Sequence, residues 1–183
     1  MIRLKSALAA SLIALTASVS FAQPYPSKPI RWIVPYTPGG ITDNVTRMVT
    51  AKVQAALGQS IVVENKPGAN SIIGVDMASK APADGYTVVT VIAAHAANAT
   101  LYQGRLPFDP VKSLVPVSLA AVAPLILTAN NAFPAKDVRE LIAYAKANPG
   151  KVSFGSSGVG AAAHLTTELL KQTVGVDMTH VPY

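Results

Sequence analysis

The chain predicts an α/β fold with a parallel sheet covered by helices on both faces, and three observations carry that expectation. Short apolar runs alternate with stretches of helical periodicity. The links between them are short and rich in glycine and proline. Half of the 183 residues are hydrophobic while only 13% are charged, which gives a core enough apolar material and excludes disorder by self-repulsion. Strand, helix, strand, helix, strand in close succession is the pattern of parallel strands joined by crossover helices.

Taken in order, the first 22 residues form a separate unit. Arg3 and Lys5 give a positive start, an uncharged run follows from Ser6 to Val19, and small residues stand at Ser20 and Ala22. This pattern predicts an export signal cleaved near Ala22, since Gln23-Pro24 ends the run short of a membrane span. The mature chain then holds 161 residues with 13 basic and 9 acidic side chains. That bias favours small anions, but the basic residues are scattered without interleaved aromatics, so nucleic acid is excluded as a partner. The chain has no cysteine, which removes disulfides, thiolate metal cages and a cysteine nucleophile.

Ile30–Tyr36 reads as a buried strand. Thr42–Leu57 follows as a helix with Val45, Met48, Val49, Val53, Ala56 and Leu57 at helical spacing, and Gly58 stops it. Ser60–Val63 is a second strand, Ser71–Lys80 a second helix and Tyr86–Ala93 a third strand. Asn98–Pro110 reads as loop, and Val115–Leu119 and Leu125–Thr128 as strands. Asp137–Asn148 is a helix, with Asp137 and Glu140 in capping-box spacing. A short strand over Val152–Phe154, a glycine-serine turn over Gly155–Gly160, a helix from Ala161 to Val174 and a strand from Met178 complete the sequence. A strand that enters a sheet as the chain stops reads as truncation.

Two places share one plan. Ile30–Tyr36 runs into Thr37-Pro38-Gly39-Gly40 and a helix that starts near Thr42-Asp43. Val152–Phe154 runs into Gly155–Gly160 and a helix from Ala161. Glycine lets peptide N–H groups turn toward one point, and the first N–H groups of a helix lack internal partners and carry partial positive charge. Each turn is therefore a candidate anion seat at the carboxyl end of a strand. Asp43 caps its helix or fixes the turn. The second turn fits neither a nucleophile elbow nor a phosphate loop, because Val159 and Ala161 stand at the positions where those motifs need glycine and lysine. Gly158, Gly160 and Ala163 match a dinucleotide pattern only weakly. His164 is placed to brace the second turn or to touch ligand, His95 to look into the same crevice, and His180 to hold a structural partner. Tyr36 and Tyr183 stand at or near strand ends. No three ligands converge in sequence for a metal, and no cofactor is expected.

The runs YPSKPIRWIVPYTPGGITD, ENKPGANSIIG, APADGYTVV, AYAKANPGKVSFGSSGVGAAAHLTTELL and the final HVPY together resemble the Bug family, the extracytoplasmic solute-binding receptors of tripartite tricarboxylate transporters. The resemblance spans the mature segment in order. It implies a type II periplasmic-binding-protein-like fold of two lobes with parallel-rich sheets flanked by helices, here residues 23–122 and a partial second lobe over 123–183. It also implies a periplasmic, monomeric receptor, not an enzyme, that grips a small organic carboxylate by peptide N–H groups and bridging waters and passes it to membrane permease subunits. Carried onto this sequence, the ligand-binding residues are Tyr36, Thr37, Gly39, Gly40, Thr42 and Asp43 in the first turn, Ala94 and His95 at the crevice edge, and Ser156, Ser157, Gly158 and His164 in the second. The alternatives are a ligand-presenting partner of a membrane sensor kinase, a non-functional fragment, or an exported hydrolase built on Ser157 and His164.

Overall fold

The structure, a computed structural model, describes residues 24–183; the export signal read over residues 1–22 lies outside them. Two parallel sheets organise the described chain. In the first, β1 (Ile30–Val34) is central, with β2 (Ile61–Asn65) on one side and β3 (Thr87–Val89) on the other. Register sets Trp32 opposite Val63 and Val88. The second sheet pairs β4 (Ser153–Ser156) with β5 (Thr179–Pro182), Phe154 opposite His180. Helices α1 (Ile41–Leu57), α2 (Ile72–Ser79) and α3 (Ala93–Leu101) follow β1, β2 and β3. Helix α4 (Val138–Ala147) precedes β4, and α5 (Ala162–Val174) joins β4 to β5. This is the parallel α/β arrangement that the alternating pattern predicts.

β1 is central because it is the most apolar strand, with Ile30, Ile33 and Val34 buried. The second core gathers Ala145, Val152 and Met178, with Phe133, Leu141, Tyr144 and Phe154 packed against them. Helix ends follow local chemistry. Gly58 closes α1 in the left-handed conformation at φ 64°, and Asp137 caps α4 by accepting from the Glu140 N–H at 2.8 Å. Glu140 reaches back to the Lys136 N–H at 2.7 Å, so the predicted box forms one residue further out.

Three expectations are corrected. Residues 93–101 form a helix where the sequence suggested the end of a strand and the start of a loop; the alanine-rich run AAHAANATL favours helix. The apolar stripe of α1 does not face the sheet. Thr42, Asp43, Thr46 and Thr50 are buried there, while Met48 is 64% exposed. The buried polar groups are satisfied: Trp32 Nε1 donates to Thr90 Oγ1 at 2.8 Å, and Thr46 and Thr90 share a hydroxyl bond of 2.9 Å. The outward stripe of Val45, Met48, Val49 and Val53 instead lines a groove of about 450 Å³ with Ala120 and Ala121.

Third, Val115–Leu119 and Leu125–Thr128 are not strands in this structure. Neither run pairs with a described strand, and Val115, Val117, Leu119 and Ile126 are all exposed. A strand exists only through its neighbours, so an apolar alternating sequence without an adjacent edge stays irregular.

Gly74 fixes how closely α2 approaches β1. A Cβ there would stand 2.6 Å from Pro35 Cβ and 2.8 Å from the Lys66 carbonyl oxygen. These atoms belong to backbone or a rigid ring and cannot yield. Gly74→Ala is expected to lower stability by about 1–3 kcal/mol, read as a lower denaturant midpoint; an unchanged midpoint would contradict this packing.

Candidate functional site

The turn after β1 is built around one buried carboxylate. Asp43, in the first turn of α1, is 3% exposed. Its oxygens accept from the Gly39 N–H at 2.9 Å, Asn65 Nδ2 at 2.9 Å and Arg47 Nε at 3.1 Å. Arg47 first, then the Gly39 amide and Asn65, hold its pKa down at about 2. Asn65 also donates to the Tyr36 carbonyl at 3.1 Å. Asp43 therefore fixes the turn, one of the two roles the sequence allowed, with its acceptor positions filled from within. Thr37 and Gly39 are exposed, Gly40 half-buried and Thr42 buried. Gly39 has φ +79° with nothing within 4 Å of a notional Cβ, so conformation rather than space demands glycine there.

The turn after β4 is braced by two histidines. His164 Nδ1 accepts from the Gly160 N–H at 3.0 Å. Ser156 is buried, and its hydroxyl contacts His180 Nε2 at 2.7 Å and accepts from the Gly158 N–H at 3.2 Å. Ser157 is exposed and Gly158 half-buried. The serine–histidine contact is thus Ser156–His180, not the Ser157–His164 pair that a hydrolase would need.

The glycine N–H groups of both turns are spent internally, while the helices behind them start open. α1 and α5 have Gly40 and Ala161 as N-caps with no side-chain cap bond; α2 and α3 likewise start without one. Among the described helices, only α4, which does not follow a strand, is capped by a side chain. All four helices that begin at a strand's carboxyl end therefore keep their first-turn N–H groups free of side-chain caps, each end carrying roughly half a positive charge. Arg47, beside the first turn, pairs with Asp43, and Lys171 of α5 pairs with Glu168 at 2.8 Å.

Gly160 also brings the second turn against the first sheet's helices. A Cβ on it would lie 2.5 Å from Leu101 Cδ1 and 3.2 Å from Asn70 Nδ2. Asn70 lies in a run, Ala69, Asn70 and Ser71, at φ 46°, 51° and 77°, a conformation that costs roughly 1–2 kcal/mol per residue. Reciprocal 2.7 Å bonds between Asn70 and the buried Asn98 hold it. Ala94 is buried in the first turn of α3. His95 Nε2 meets the Pro110 carbonyl at 2.9 Å and its ring stacks on Phe108, while its Nδ1 is buried without a hydrogen-bond partner among the described residues. Burial pushes the Tyr36 hydroxyl up in pKa, and neither it nor the buried Ser71 hydroxyl has a hydrogen-bond partner among the described residues. Sequence reading placed Gly160 at the end of the second turn but missed the Asn70–Asn98 pair. Nothing in sequence pairs two asparagines 28 residues apart.

The groove on α1 is a poor anion site. Six of its seven lining residues are apolar, and Lys52 alone is charged.

Comparison with known proteins bears on these turns. Residues 45–183 match the family described as "Tripartite tricarboxylate transporter family receptor". The chain is 39% identical over 181 residues to a UPF0065 protein in the tcbD-tcbE intergenic region of a Pseudomonas species, covering 96% of this chain and 53% of the relative. It is 39% identical over 170 residues to BugT of Bordetella pertussis, covering 92% and 52%. Among solved structures it is similar to MatC from Rhodopseudomonas palustris with bound malate, with a TM-score of 0.75 and 31% identity over 87% of this chain and 54% of that one. An R. palustris protein solved with adipate gives 0.72 and 33%, over 87% and 53%. The chain spans about half the length of the relatives it matches.

Because Asp43 titrates far below its free value of 3.8, its contribution to stability is complete above about pH 4 and is lost as pH falls through about 2. Asp43→Asn is expected to flatten the acid limb of the stability–pH curve across that window and to speed hydrogen exchange at the Gly39 amide. An unchanged acid limb would contradict the bonding described.

Proposed function

We propose that this chain, which belongs to the tripartite tricarboxylate transporter receptor family, captures a small organic carboxylate in the periplasm between the turns after β1 and β4 and hands it to the transporter's membrane permease. The observation that carries this reading is the set of helices that start uncapped at strand ends while Arg47 and Lys171 are already paired. An anion there meets peptide N–H groups at open helix ends rather than a competing side-chain salt bridge.

The malate and adipate held by two structural neighbours support a dicarboxylate or a related acid. A hydrogen bond to a charged group contributes roughly 1.5–3 kcal/mol. Four or five of them, less the entropy of association, give about −8 kcal/mol, a micromolar constant. The division into a lobe over residues 23–122 and a partial lobe over 123–183 is part of the same reading, each lobe supplying one turn. A receptor rather than an enzyme is supported by the family and by the second turn itself: the Ser156 hydroxyl is buried and committed to Gly158, and Ser157 has no histidine partner among the described residues.

Calorimetry with malate and adipate tests the reading. Saturable binding without turnover is expected for at least one acid. Ile41, the first residue of α1, is 65% exposed, so Ile41→Glu places a carboxylate on the open helix end. It is expected to weaken binding about tenfold or more while leaving the thermal midpoint unchanged or slightly higher. Absence of binding by either acid, or full affinity in Ile41→Glu, would overturn the proposal.

A further inference from the structure

The turn after β4 rests on an aromatic stack that acid capture alone leaves unexplained. The His164 and His180 rings lie within 19° of parallel with centroids 4.0 Å apart, and Phe154 stacks on His180 at 4.9 Å. Each imidazole ends on a different part of the turn. His164 holds the Gly160 N–H directly, and His180 meets the Ser156 hydroxyl that takes the Gly158 N–H.

We propose that His164 and His180 are positioning residues: as a neutral pair they hold the Gly158 and Gly160 amides inward, set the shape of the turn and make acid capture sensitive to pH. This rests on the carboxylate-binding reading of that turn and names how the turn is regulated.

The chemistry follows from one lone pair. An imidazole nitrogen accepts an N–H only when unprotonated, so neutral His164 carries its hydrogen on Nε2. Glu168 Oε1 lies 3.9 Å from that nitrogen. Protonation puts a second hydrogen on Nδ1, directly opposite the Gly160 N–H, and two facing donors cannot bond. The groups that face the pair are few. His180 comes from β5, and Glu168 and Lys171 come from α5, while β4 offers only uncharged Ser156 and Phe154. Glu168 favours a charged imidazole, but Lys171 sits on it at 2.8 Å and 5.6 Å from the Phe154 ring centre. Burial first, and then His164, hold the His180 pKa below its ordinary 6.5. A histidine depressed in this way stabilises the neutral arrangement above about pH 6.5, and that contribution is lost as pH falls below it. Gly160 is also the point where the turn meets Leu101 and Asn70, so releasing its amide loosens that contact.

Two substitutions separate positioning from mere packing. His164→Asn offers an oxygen close to the Nδ1 position without titrating, and His180→Gln offers a non-titrating amide N–H near Nε2. The purified chain, labelled with ¹⁵N, is titrated from about pH 7.5 to about 5.5. The Gly160 amide is expected to shift and to lose exchange protection with the midpoint of the His164 ring signals, and to stay constant in the double variant. Adipate and malate affinity, measured in parallel, is expected to fall about tenfold in the wild type over that range and to hold level in the double variant, whose ligand ionises identically. A Gly160 amide that ignores the histidine titration overturns the inference. So does acid binding with the same pH profile in both proteins, and that result leaves the receptor reading standing. Absence of acid binding at every pH defeats the receptor reading and with it the binding half of this inference, while the amide titration still decides the brace.

Discussion

Unsatisfied peptide N–H groups at the starts of helices are the constraint on which the rest of the molecule depends. A parallel sheet delivers every following helix with its N-terminus at the carboxyl edge of its strands, and here α1, α2 and α3 at the first sheet and α5 at the second begin without a side-chain cap. α4 begins elsewhere and is capped on both sides of its first turn by Asp137 and Glu140. Uncapped helix ends cost stability. Leaving them open at that edge, and closed where no strand leads in, concentrates positive potential where an anion can use it.

Buried polar bonds keep that edge in shape. Asp43 ties Gly39, Arg47 and Asn65 together, Thr46 and Thr90 link α1 to the residue after β3 and onward to Trp32, and Asn70 and Asn98 hold a left-handed run in place. In a low-dielectric interior such networks are rigid when every member is satisfied. They also consume the cations: with Arg47 and Lys171 paired, peptide dipoles remain as the source of attraction. The glycines serve this arrangement as turn-makers, while the first helical turns supply the donors.

Much of this was legible in the residues. Alternation of apolar runs and helical stretches gave the parallel fold, Gly58 and Asp137 marked helix ends where they lie, and the two glycine turns after β1 and β4 were visible as a repeated plan. The burial of α1 was not. Threonines at positions 42, 46 and 50 look like a solvent face by hydropathy, yet partners distant in sequence satisfy them, and the valine stripe turns to the groove instead. Val115–Leu119 and Leu125–Thr128 read as strands because propensity is local, whereas a strand needs an edge supplied from elsewhere. Likewise Ser156–His180 and Asn70–Asn98 join residues 24 and 28 positions apart, which spacing does not reveal.

The most direct measurement is a crystal structure of the chain with its bound acid. The account predicts carboxylate oxygens within hydrogen-bond distance of first-turn peptide nitrogens of α1 and α5, with Arg47 still on Asp43 and Lys171 still on Glu168. An acid held by an arginine or lysine side chain, or seated in the apolar groove beside Met48 and Ala120, would contradict it.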